Sequence, residues 1–338
     1  MKKTIKSESV NLNSFPRRVK DKVYDLNVKI FPPKKEGGKP KKFGTVKRNK
    51  KIFYYCVIAL PLLQCLIFYV GVNFNTIILA FQKYDMATGS YGFAGLDNFT
   101  RFFSELFQKE YFVAAIRNSF LLYACGVLIG TTLAVLFSYF LYKKMPMSGF
   151  FRVVLFMPQI ISSLALVLMF RYFFERGIPQ LLLNLFGWEV KVGFNLPVMI
   201  FYSIFVSFGT PVLMYWSAMS GISESIVESA QLDGITPFKE LWYITIPSIF
   251  PTLVTFITIG VAGIFTSQMF LYDFFGLNAD YQLFTFGYYL YRAVKLPATT
   301  LEDYPYIASI GLVLTLITLP LTLVVKKLLE RFGPSAER

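Results

Sequence analysis

The polar residues of this chain that could do chemistry fall into three short patterns. The densest is the stretch 223–247, Ser-Glu-Ser-Ile-Val-Glu-Ser-Ala-Gln-Leu-Asp-Gly-Ile-Thr-Pro-Phe-Lys-Glu-Leu-Trp-Tyr-Ile-Thr-Ile-Pro. Its residue types suit capping and surface contact more than catalysis. Ser225 and Glu228 stand three residues apart, as a capping box requires, with a helix start at Ser223 as the alternative. Gly234 suits the left-handed position after a helix end. Thr236 followed by Pro237 restarts the chain as N-cap and first helical residue. Two short helices joined by a tight turn are therefore expected, with Ile226, Ala230 and Leu232 available for contact.

The other two patterns are stripes of small and hydroxyl-bearing residues. Ser203, Ser207 and Thr210 fall at i, i+4 and i+7, and Gly260, Gly263 and Ser267 at i, i+3 and i+7 with Gln268 adjacent. Helical spacing puts each set on one face. Such faces either line a polar pathway or let two helices pack closely. Acid–base and metal chemistry have little to work with, because histidine is absent and the three cysteines, Cys56, Cys65 and Cys125, sit in apolar runs. No nucleotide-binding Gly-x-x-x-x-Gly-Lys is present, and Gly37-Gly38-Lys39-Pro40 has the wrong spacing.

The elements that must position these residues belong in lipid. The charged fraction is 16% and the apolar fraction 55% of 338 residues, against roughly 25% charged in a soluble domain. The apolar residues form six long charge-free runs, 52–81, 118–142, 153–170, 196–223, 241–272 and 305–325. Each is near or above the roughly 20 residues of helix that cross a bilayer. Pro61, Pro158, Pro211, Pro247, Pro251 and Pro320 fall within the runs or at their ends, where neighbouring helices must satisfy the freed carbonyls.

Charge then orients the runs. Residues 1–51 hold 17 Lys and Arg against 4 Asp and Glu, thirteen of the chain's fourteen net positive charges. This segment reads as a retained, mostly disordered cytoplasmic tail that can also meet anionic lipid headgroups; nucleic acid is not the expected partner. Lys143, Lys144 and Arg152, and then Lys326, Lys327 and Arg331, fall on the same side if six spans alternate. The expected plan is an all-α integral membrane protein in the cell membrane with both termini cytoplasmic. Its parts are a tail 1–51, a six-helix domain 52–328 carrying the cytoplasmic loop 223–247, and an end 329–338.

The loop also resembles a known family, the permease subunits of binding-protein-dependent ABC importers. Their signature runs Glu-Ala-Ala, three residues, Gly, nine residues, Ile-x-Leu-Pro. Glu228, Ser229, Ala230, Gly234, Ile244, Ile246 and Pro247 stand at those positions, with Ser for the second residue and Ile for Leu. Three shorter boxes resemble the carbohydrate, maltose-type branch: Gly95-Leu-Asp-Asn-Phe99, Arg117-Asn118-Ser119 and Met157-Pro158.

The resemblance implies a type I importer architecture and a non-catalytic transport subunit. Glu228, Ser229, Ala230, Gly234, Ile244 and Pro247 would then couple to a separate cytoplasmic ATPase dimer, which binds the ATP and Mg; this chain needs no cofactor or metal. A second permease, in a heterodimer, and an extracytoplasmic solute-binding protein complete the set. Ser203, Ser207, Thr210, Gly260, Gly263, Ser267 and Gln268 would line half of a path for a sugar or oligosaccharide, with Tyr202, Phe205 and Phe265 available to stack on rings. Importers of other solutes share the loop motif. A secondary transporter would instead need ionisable residues inside the spans, which are nearly devoid of them.

Overall fold

The computed structural model describes residues 43–190 and 192–334. The predicted basic tail lies outside the described residues as far as position 42. The chain falls into two units, divided between Gly71 and Val72.

In the first unit α1 (Phe43–Gln64) runs into a wider, π-type stretch (Cys65–Gly71). Helix begins nine residues ahead of the expected boundary at 52, inside the predicted tail. Lys and Arg are good helix formers, so a helix readily continues past its apolar part. From Ile52 to Val70 the large apolar side chains are exposed, as on a helix whose solvent is hydrocarbon.

The second unit contains α2 (Val72–Ala80), a hairpin of β1 (Gln82–Asp85) and β2 (Ser90–Phe93), and α3 (Asp97–Glu105). Next come α4 (Glu110–Cys125), a π-type stretch (Gly126–Thr131) and α5 (Thr132–Tyr142). α6 (Ser148–Ile160), α7 (Ser163–Tyr172), α8 (Ile178–Phe186), α9 (Leu196–Ser207) and α10 (Gly209–Met219) follow. The loop holds α11 (Glu224–Leu232) and α12 (Pro237–Glu240). After it come α13 (Ile246–Ala262), α14 (Leu271–Phe275), α15 (Phe286–Lys295) and α16 (Asp303–Phe332).

Among the described residues four helices are long and apolar enough to cross a membrane: Lys50–Ala80, Glu110–Tyr142, Pro237–Ala262 and Asp303–Phe332. Two further pairs pass the same test only together, Ser148–Ile160 with Ser163–Phe186, bent by 106°, and Leu196–Ser207 with Gly209–Met219, bent by 44°. The third and fourth charge-free runs are thus broken helices. The first break follows Pro158, where Ile161 and Ser162 turn extended. At the second, Gly209 lies so close to α6 that a Cβ would stand 2.7 Å from the Leu155 carbonyl oxygen.

Two of the short boxes become legible as fasteners. The Asn98 amide donates to the carbonyls of Ala80 (2.9 Å) and Gln82 (2.8 Å), joining the end of α2 to β1. Asn118, fully buried, donates to Gln282 O (2.7 Å) and Phe284 O (2.9 Å), and the Ser119 hydroxyl accepts from Phe286 N. These bonds pin part of the segment 273–304, which joins the fifth and sixth charge-free runs, into the interior, where Phe284, Phe286 and Tyr288 are buried. Gly287 is required there, because a Cβ would collide with the backbone of Thr266.

Asn118→Ala leaves Phe284 O without its side-chain donor and Gln282 O with only the 3.5 Å contact from Arg117 Nη2, and should destabilise the fold by about 1–3 kcal/mol. Asn118→Asp, of the same shape but unable to donate when ionised, should do no better. The check is the thermal midpoint of the detergent-purified protein, and an unchanged midpoint in Asn118→Ala would refute the fastening role.

Candidate functional site: the 223–247 loop and the cavity behind it

Helix α11 starts from Ser223, whose backbone is extended, so the alternative start holds and the Ser225–Glu228 capping box does not form. The Ser223 and Ser225 hydroxyls lie 2.8 Å apart, and the Ser229 hydroxyl turns back to Ser225 O. The far end closes as a Schellman motif. Ile235 N donates to Ala230 O (3.1 Å), Gly234 N donates to Gln231 O (3.0 Å), and Gly234 takes φ +76°. Thr236 then caps α12, with Pro237 its first residue and Glu240 N donating to Thr236 O.

Helix α11 is therefore a short rigid rod with defined ends. It exposes Glu224, Ile226, Glu228, Ser229 and Leu232, the last 89% exposed. Ala230, expected on the contact face, is buried against the protein. Ile244 and Pro247 are half-buried on the way into α13. Glu224, Glu228 and Asp233 make the exposed face of the rod acidic.

The two polar stripes meet. A cavity of about 360 Å³ lies between α4 with its π-type extension, the α9–α10 pair, and α13 with the turn after it. Ser203 and Ser207 line one wall and Gly260, Gly263 and Ser267 another. The two other predicted residues are elsewhere. Thr210 donates to Gln159 Oε1 at 2.6 Å, fastening α10 to α6, and Gln268 is half-buried outside the lining. Helical periodicity stops at the Phe208 break before Thr210, and α13 ends at Ala262, so that Ser267 reaches the lining from the following turn and Gln268 does not.

A third wall was missed in the sequence. Ser119, Tyr123, Gly126, Gly130 and Thr131 face the cavity from α4 and the π-type stretch. A small-residue pattern, Gly126 and Gly130 four apart, was the available signal. The aromatic lining also differs from the expected one. Tyr123, Phe208, Tyr215, Phe256 and Phe270 line the space. Tyr202 and Phe265 are instead buried in ring clusters with Phe170, Phe274 and Phe286, and Phe205 stacks on Phe201.

The cavity survives because it falls between two packed regions. Its lining draws Ile264 and Phe270 from a cluster around Tyr202 and Phe286, and Tyr215, Phe208 and Phe256 from another around Tyr139 and Met219. Glycines facing inward keep it open: a Cβ on Gly260 would stand 3.1 Å from the Tyr123 ring. Among the described residues the Ser203 hydroxyl, buried in this wall, has no hydrogen-bond partner, an arrangement that costs about 1–3 kcal/mol unless something polar enters. No charged side chain lines the space. The nearest acid along the chain, Asp273 on α14, is outside it, and burial pushes its carboxyl above the ordinary value.

Broken apolar helices around a hydroxyl- and aromatic-lined cavity, with a rigid capped rod between two of the walls, define a membrane transport subunit. The chain belongs to the family of binding-protein-dependent transport system inner membrane components, whose family model matches residues 126–338. A probable ABC transporter permease of Mycoplasma pneumoniae is 30% identical over 172 residues, covering 48% of this chain and 52% of the relative. The chain thus spans about half the length of that relative. The arabinooligosaccharides transport system permease AraP of Halalkalibacterium halodurans is 23% identical, over 81% of this chain and 86% of its own length. In fold, the chain matches a bacterial alginate ABC transporter solved with an alginate pentasaccharide-bound periplasmic protein. The TM-score is 0.71 at 21% identity, over 87% of this chain and 99% of the other.

Gly260→Leu should press on Tyr123 and fill the cavity, lowering transport by roughly tenfold or more while leaving complex assembly intact. Uptake into vesicles beside a pull-down measures both, and undiminished uptake would remove Gly260 from the pathway.

Proposed function

We propose that this chain is one membrane-spanning subunit of an ATP-driven importer, forming half of the path for a sugar or oligosaccharide delivered by an extracytoplasmic solute-binding protein. Six spans with both termini cytoplasmic fit the charge asymmetry, with each bent pair counted as one span. A second permease, in a heterodimer, supplies the other half of the path. A cytoplasmic ATPase dimer binds ATP and Mg and carries out the hydrolysis, and this chain is non-catalytic.

The observation that carries the reading is the direct attachment of the rigid α11 rod to the two helical stretches whose polar stripes share one cavity. A capped rod seated in a cleft of the ATPase passes nucleotide-driven closure to those stretches as rigid-body motion. Glu228, exposed on the acidic face, is the polar anchor toward a basic residue of the ATPase. Ser229 and Ala230 complete the rod and Gly234 closes it; Ile244 and Pro247 lead its motion into α13.

The substrate class follows from the wall chemistry. Hydroxyls and aromatic rings without a lining charge suit a polyhydroxylated solute, which offers hydrogen bonds at its edge and apolar C–H surface on its faces. The arabinooligosaccharide and alginate systems among the similar proteins support the same class.

Gly234→Pro locks φ near −65° and removes the N–H that bonds to Gln231 O, so the Schellman turn cannot form. Glu228→Lys reverses the charge of the anchor. Each should cut ATP-driven uptake roughly tenfold or more and weaken recovery of the ATPase with tagged permease. Wild-type uptake and assembly in both variants, or purification of an active complex of this chain alone, would rule the coupling reading out.

A further inference from the structure

A buried ion pair ties the loop to the third wall of the cavity. Lys143, the residue that ends α5, places Nζ 2.5 Å from Oε1 of Glu240, the last residue of α12. The Glu240 side chain is 4% exposed and that of Lys143 20%. Besides the ammonium, the Tyr139 hydroxyl is the side chain that interacts most directly with this carboxylate.

The surroundings reinforce the link. The Tyr139 hydroxyl donates to Pro237 O at 2.9 Å, and the Lys143 ammonium lies 5.6 Å and 5.5 Å from the ring centres of Tyr139 and Tyr142. Leu241, next to Glu240, is buried in the same cluster as Tyr139 and Tyr215. Two residues above the start of α5 lies Gly130, with Thr131 beside it, both in the cavity wall.

A pair this buried is weak evidence for stability, since apolar replacements of the same size often serve as well; what it secures is one relative placement of two elements. The loop is joined covalently to α10 and α13, which carry two walls. The third wall, on α4 and its extension, reaches the loop through Lys143 and Glu240.

We propose that Lys143 and Glu240 are positioning residues for coupling, forming a strut that makes the third cavity wall move with the α11 rod. The proposal rests on the coupling role given to the loop above. Neither residue touches the substrate or the ATPase; both act through the helices they join.

The test uses the complete complex with its ATPase and partner permease. Cys56, Cys65 and Cys125 are replaced by Ser, and Ser207→Cys reports cavity exposure. N-ethylmaleimide labelling is compared with and without ATP plus orthovanadate, so no identified solute is needed. With the strut intact, nucleotide should change the labelling rate by about fivefold or more.

Lys143→Met should abolish that change, and so should Lys143→Met with Glu240→Leu, which leaves no buried charge unpaired. The exchange Lys143→Glu with Glu240→Lys should restore it. Retention of the nucleotide-dependent change in either of the first two would overturn the proposal. If Lys143→Met alone fails to assemble, the apolar double variant decides; its own failure to assemble would make the pair a folding element and overturn the strut. A parent protein with no nucleotide-dependent labelling would overturn the coupling reading beneath it, which separates the two failures.

Discussion

In an apolar surrounding every backbone N–H and C=O must find its partner within the protein, and that requirement shapes this fold more than any single contact. Unbroken helices satisfy it by themselves, whereas a transport path needs helices that break. Several of the non-helical stretches carry side-chain fasteners. Asn118 and Ser119 serve the backbone at 282–286, Thr285 donates to Ser267 O, and the Tyr288 hydroxyl donates to Gly276 O. Asn98 does the same where α2 gives way to the hairpin. What looked like weak sequence boxes are side chains that stand in for missing water.

The same logic explains why the cavity persists. Lipid gives helices little hydrophobic reason to associate, so close contact depends on small residues and on polar bonds between helices. Gly209 against Leu155 and Thr210 against Gln159 bring α10 onto α6. Gly287 against Thr266 brings the inserted segment onto the end of α13. Where small residues face each other without such a bond, at Gly126, Gly130, Gly260 and Gly263, space remains. Close packing and open cavity thus use the same residue types and differ in what stands opposite.

In the 223–247 loop, α11 is held at its C-terminus by the two bonds of the Schellman motif. Its acidic, partly apolar face is exposed among the described residues, and its buried side carries Ala230 into the protein. The rod is thereby rigid toward its own helices and free toward a partner.

Residue type and spacing alone determined the membrane class, the six apolar segments, the loop with its glycine turn and Thr-Pro restart, and the two stripes that converge on the cavity. These are local or periodic properties: Ser203 and Ser207 meet the cavity because a regular helix keeps i and i+4 on one face, whereas Gly263 and Ser267 reach it from the turn beyond the end of α13. Tertiary structure decided the rest. It broke the third and fourth segments, turned Thr210 and Gln268 away, folded the segment 281–288 inward, and chose Tyr123 and Tyr215 over Tyr202 and Phe265 as lining. It also brought Lys143 to Glu240 across 97 residues of chain. Such pairings depend on which helix stands opposite which, and no periodicity within a single segment encodes that.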